Sequence, residues 1–225
     1  MKRVMTKLWI VGCVALLNGC GDGDKLTDKI VEQVKTDRSA DIVYANVTDT
    51  DVSFFIKNER FRRDVFNNDF KVRDLQVDQH SNVTRYKWLH PYSNTEVSIE
   101  DVNTKVKKSR DEFFADDGFQ YWVLAWQSGN RINVSAFDRS TISSPGEYRV
   151  RIFANQRLNV MYTGNNQLAV RTEVGEPTSP INIQGCDDLM INNLVVNLCQ
   201  IGTPGHSYLV YADGENAPVV FAEDI

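Results

Sequence analysis

The chain predicts an all-β protein built as two tandem β-sandwich units behind an N-terminal export segment. Three observations carry that prediction. From Asp41 onward, short runs rich in β-branched and aromatic residues alternate with period two. Clusters of Asp, Asn, Ser and Gly separate these runs, as tight turns require. The pattern of the front half also returns in the back half.

In chain order the strand candidates are Ile42–Val47, Val52–Ile56, Val83–Leu89, Phe119–Trp126 and Arg131–Phe137. They continue with Tyr148–Ala154, Leu158–Tyr162, Leu168–Thr172, Leu189–Leu198, Tyr208–Ala212 and Val219–Ala222. Many short strands joined by polar turns read as a sandwich or barrel. Two segments carry a helical period instead. Leu26, Ile30, Val31 and Val34 place a short amphipathic helix in the linker. Ile99, Val102, Val106 and Phe113, behind Ser98 and Asp101, predict a helix over Ile99–Phe114 with the basic run Lys105, Lys107, Lys108 and Arg110 on its solvated face.

The repeat is seen at both ends of each half. Val43-Tyr44-Ala45-Asn46 matches Ile152-Phe153-Ala154-Asn155, and Tyr121-Trp122-Val123-Leu124-Ala125 matches Tyr208-Leu209-Val210-Tyr211-Ala212, with Gly129 and Gly214 following. The units therefore span 41–142 and 145–225, hinged at Ser143-Ser144-Pro145-Gly146. These residues resemble a family of secreted and lipid-anchored bacterial proteins of unknown function with two Ig-like repeats, each closing on a Tyr-x-Val-x-Ala strand before a Gly turn. The resemblance implies a fold and no activity.

The N-terminus supplies an address. Lys2, Arg3 and Lys7 precede an apolar run from Leu8 to Leu17, which is too short to span a bilayer and suits a secretory signal. The segment Leu17-Asn18-Gly19-Cys20 resembles the lipobox of bacterial lipoproteins. That resemblance implies a signal peptide of residues 1–19, acylation of Cys20, and a lipidated tether over 20–40. By the same resemblance, Gly21 after the cysteine implies the outer membrane. Loss of Lys2, Arg3 and Lys7 takes the formal charge from −5 to −8, an acidic balance that argues against a nucleic-acid partner. With Cys13 in the signal and Cys20 acylated, Cys186 and Cys199 remain, and an even pair in an exported domain predicts a disulfide.

Chemistry is sparse. His80, His90 and His206 stand far apart in polar loops with no metal-binding spacing, and no Gly-x-Ser-x-Gly elbow, phosphate loop or dinucleotide fingerprint occurs. Asp116-Asp117-Gly118 lacks the alternating acids and distal Glu of a calcium loop. Glu100, Asp111 and Glu112 are the acids nearest to a glycoside-cleaving pair, a weak signal in a chain this rich in carboxylates. No metal, cofactor or catalytic residue is assigned. Trp88, Trp122 and Trp126 are the candidate ligand platform. On the strand Phe119–Trp126, however, Phe119, Tyr121, Val123 and Ala125 face one way and Trp122, Leu124 and Trp126 the other, and a strand apolar on both faces belongs at the centre of a fold, here with the expected helix covering the tryptophan face. The expectation is a membrane-anchored, non-catalytic envelope protein that binds a protein or glycan. The rivals are a carbohydrate-binding protein and a hydrolase of envelope polysaccharide.

Overall fold

The computed structural model describes residues 37–142, 145–162 and 167–224. The signal segment, Cys20, the tether and its helix lie outside them. The described chain is almost entirely β. In the first half follow β1 (Asp37–Asn46), β2 (Val52–Asn58), β3 (Lys71–Leu75), β4 (Gln79–His80), β5 (Thr84–Leu89), β6 (Asn94–Asp101), β7 (Lys108–Phe114), β8 (Gln120–Ser128) and β9 (Arg131–Asp138). The second half holds β10 (Tyr148–Ala154), β11 (Asn159–Tyr162), β12 (Gln167–Arg171), β13 (Ile181–Ile183), β14 (Leu189–Ile191), β15 (Leu194–Val196), β16 (Ser207–Ala212) and β17 (Val219–Ala222).

Each half is a sandwich of two sheets, and the two halves share one topology. In the first, β5-β1-β8-β9 faces β3-β2-β6-β7, with the short β4 added to the far end of β1. In the second, β13-β10-β16-β17 faces β12-β11-β14-β15. The opening strand lies parallel to the penultimate one both times, β1 on β8 and β10 on β16. Each sandwich also has a tyrosine corner at the start of that strand. Tyr121 donates its hydroxyl to Phe114 O and accepts from Asp116 N, and Tyr208 does the same with the carbonyl and amide of Thr203. This tie recurs in Ig-like sandwiches.

Strand register sets the true correspondence between the repeats. Ile42 pairs with Tyr121 and Val150 with Tyr208, so Ile42 corresponds to Val150 and Tyr44 to Ile152. The tetrapeptide match of Val43 to Ile152 is one residue out, and a one-residue slip exchanges the faces of a strand. The closing Tyr-x-Val-x-Ala strands match in true register.

The helix expected over Ile99–Phe114 is corrected to a hairpin of β6 and β7. Val97 and Ile99 are fully buried, whereas Val106 is 81% exposed at the turn. The turn is held by Asp101, whose Oδ1 accepts from Asn103 N at 2.9 Å and Thr104 N at 2.7 Å, and Lys105 takes a left-handed φ of 58°. These local bonds end the strand and compete with any helix. The run Leu189–Leu198 likewise divides. Asn192 and Asn193 both have positive φ, the geometry of a two-residue hairpin turn, and split it into β14 and β15.

Three cores result. Ala40, Ile42, Tyr44, Phe54, Ile99 and Val123 belong to the first sandwich, and Val150, Ile152, Val160, Leu189 and Val210 to the second. The third core lies between the sandwiches. There Val43, Ala45, Trp122, Leu124 and Trp126 from the first half pack against Phe153, Leu209, Tyr211 and Phe221 from the second. Strands β1, β8, β10 and β16 are therefore buried on both faces, one in their own sandwich and one in the seam. The double-sided apolar reading holds for Tyr121–Trp126, whereas Phe119 is 52% exposed, and the covering layer is the other repeat and not a helix.

Candidate functional site

The seam holds a buried charged cluster toward the end where β8 begins and β9 finishes. Glu223, fully buried, accepts from Trp122 Nε1 at 3.0 Å and from Arg151 Nε at 3.2 Å, and forms a second close ion pair with Arg151 Nη2. Arg151 also donates to Asp138 O at 2.6 Å. Arg139, 8% exposed, stands over the Trp122 ring at 5.6 Å, and burial draws its guanidinium below the usual arginine range against the pull of Glu223, Asp224 and Asp41. Stacked rings flank the cluster, Phe137 on Phe153 at 5.4 Å and Trp126 edge-on to Phe153 at 5.7 Å. The sequence did carry a signal for this: Arg149-Val150-Arg151-Ile152 places cations on the alternate face of an apolar strand.

All three tryptophans are interior, which corrects the platform expectation. Trp88 stacks on Tyr86 at 5.6 Å in the first core. Trp122 and Trp126 lie in the seam, and Trp126 Nε1 donates to Ser135 Oγ at 3.0 Å. Gly175, with φ +77°, closes over Trp126 so tightly that a Cβ there would stand 2.7 Å from Cζ2. None of the rings offers a face to a sugar.

Where the seam opens at the end carrying the β8–β9 and β16–β17 turns, it leaves a groove of about 590 Å³. Asp49, Asp78, Asp213 and Glu215 rim it, with the amides of Gln127, Asn155, Gln156 and Asn216, and no Lys, Arg or His lines it. Gln127 bridges to Asp49, donating to Oδ2 at 2.9 Å and accepting from the Asp49 amide at 3.2 Å. Burial pushes the Asp213 carboxyl up, but hydrogen bonds from the Asn216 side chain and the Asn216 and Glu215 amides outweigh it and hold the group below the usual carboxylate range. Burial pushes the Tyr211 phenol far above its ordinary value, and the Asp213 charge adds to the rise. Such walls accept hydrogen bonds from hydroxyl, amide or ammonium groups. These residues are scattered across both repeats and converge only when the sandwiches meet.

Reactive groupings are absorbed into structure. Cys186 and Cys199 form the expected disulfide. Asp187 lies within 4.8 Å of both sulfurs, but sulfurs bonded to each other are not thiolate ligands. His206 Nδ1 meets Asp224 Oδ2 at 2.8 Å, yet the adjoining Ser207 is fully buried and its hydroxyl donates to Ile142 O. Glu100 pairs with Lys105 and Lys108, Asp111 accepts from Ala136 N, and Asp117 is held by Ser39 N and Arg38. No family model matches this chain, and no curated protein matches it as a relative.

Proposed function

We propose that this chain is a lipid-anchored envelope protein whose paired sandwiches bind another envelope component without catalysing a reaction. The anchor rests on Cys20 at the end of its signal-like segment. Binding rests on the groove at the open end of the seam, where carboxylates and amides of both repeats converge beside no cation, thiol or exposed serine–base pair. A groove built at the junction of two units is a common place for ligands. Acceptors such as Asp49, Asp78 and Glu215 favour a partner that presents ammonium, amide or hydroxyl groups. The buried tryptophans weigh against sugar stacking, so a protein partner is preferred and a glycan stays as the second outcome of the test.

The test is in-cell crosslinking and affinity capture of the anchored protein, beside Cys20→Ala and Asp78→Lys/Glu215→Lys forms. The expected result is a partner captured in stoichiometric amount by the native chain and lost by the groove variant. Mass spectrometry should find native Cys20 acylated. An unmodified Cys20 defeats the anchor, and unchanged capture by the groove variant defeats the groove.

A further inference from the structure

The exposed aromatics are not scattered. Among the described side chains, those more than a third exposed are Phe61 (49%), Tyr92 (41%), Phe114 (71%) and Phe119 (52%). All four lie at one end of the first sandwich, opposite the acidic groove. The loops that carry them are tied together. Asn58 Nδ2 donates to Tyr92 O at 2.9 Å, and Ala115 N donates to Ser93 O at 2.8 Å. The described chain begins at this same end. Asp37 opens β1 opposite Leu89, Tyr92 N donates to Leu89 O, and Ser39 N donates to Asp117 in the Phe114–Phe119 turn.

We propose that this end of the domain docks on the lipid surface of the membrane, with Phe61, Phe114 and Phe119 entering the headgroup boundary. The proposal rests on the lipid-anchor reading for its orientation. The chain upstream of Asp37 leads to Cys20, and its seventeen residues reach at most about 60 Å however they are arranged. Tethering at that range raises the local concentration of the domain at the surface, so a weak contact suffices. Aromatic rings are favoured at the boundary between headgroups and acyl chains, and neighbouring arginines suit lipid phosphates. Arg60 and Arg62 flank Phe61, are exposed, and enter no ion pair among the described residues. The acids at this end include Asp37, Glu59, Asp64, Asp69, Asp116 and Asp117, of which Asp64, Asp69 and Asp117 pair with Arg110, Arg63 and Arg38. With charges of both signs present, ring insertion and not net charge carries the contact. Docking this end also turns the acidic groove away from the membrane, toward a partner.

The test uses the mature chain carrying Cys20→Ala, so that no acyl group contributes. Its partition onto vesicles of phosphatidylethanolamine and phosphatidylglycerol (3:1) is read by co-sedimentation, beside Phe61→Ser/Phe114→Ser/Phe119→Ser. Removing three rings of this exposed area should weaken partition by at least about tenfold, with an unchanged thermal midpoint because the rings are outside the core. If the triple form folds poorly, Phe114→Ser alone replaces it, with a smaller loss expected. No sedimentation of the parent, or equal sedimentation of parent and variant, overturns the proposal and gives the patch to a protein partner. Mass spectrometry of native Cys20 separately reads the anchor, so failure of docking and failure of lipidation are told apart.

Discussion

Glu223→Gln is the sharpest perturbation of this fold. Glutamine keeps the shape and one acceptor for Trp122 Nε1, but it leaves the Arg151 guanidinium, 7% exposed, without its counter-charge. Arg139 loses the same partner from across the Trp122 ring. Breaking a buried ion pair by removing one member costs about 3–5 kcal/mol. Glutamine's amide retains part of the hydrogen bonding, so the lower end, about 3 kcal/mol, is expected. The companion Glu223→Leu/Arg151→Met removes both charges and should recover most of the loss, because an apolar replacement of a buried pair is often neutral or better. The assay is urea unfolding followed by tryptophan fluorescence. Trp88 reports the first core and Trp122 and Trp126 report the seam. Because that seam has a hydrophobic core shared by both halves, both regions should melt in one transition. A Glu223→Gln form within about 0.5 kcal/mol of the parent, as for an ordinary surface change, would refute a role for the buried pair in joining the sandwiches.

Replacing Cys186 and Cys199 by Ser opens a loop with sequence separation 13 and should cost about 3 kcal/mol in denaturant titration. Tyr121→Phe and Tyr208→Phe each remove a corner hydroxyl bonded on both sides, and each should cost about 1–2 kcal/mol by the same titration, with equal effects expected from equivalent positions. Acid should weaken the fold. The Arg85 hydrogen bond lowers the Asp41 carboxyl, the Thr104 amide lowers Asp101, and the Ser39 amide lowers Asp117. A carboxyl held lower in the folded state stabilises fully above the unfolded value near pH 4, and that stability is lost as pH falls through the folded value. Urea midpoints should therefore drop between pH 5 and pH 3, and less so in Asp101→Asn; a flat profile would contradict these bonds.

Strand identity and the double-sided burial of Tyr121–Trp126 were legible in the sequence because side-chain alternation is a local property of a strand. The repeat was legible for a related reason: two copies of one topology preserve the same inward residues, most plainly Tyr121-x-Val123-x-Ala125 and Tyr208-x-Val210-x-Ala212. The disulfide followed from counting cysteines. The hairpin of β6 and β7 was hidden because Ile99, Val102, Val106 and Phe113 fall at helical spacing by accident, and only the turn at Asp101–Lys105 reveals that Val106 points to solvent. What tertiary structure alone decided is the fate of the second apolar face. The composition of β1, β8, β10 and β16 demands cover but does not name it, since any apolar layer meets the same hydrophobic requirement. The fold meets it by setting one repeat against the other. That choice buries Trp122 and Trp126, joins Glu223 to Arg151, and brings Asp49, Asp78, Asp213 and Glu215 to one rim, none of which a linear pattern contains.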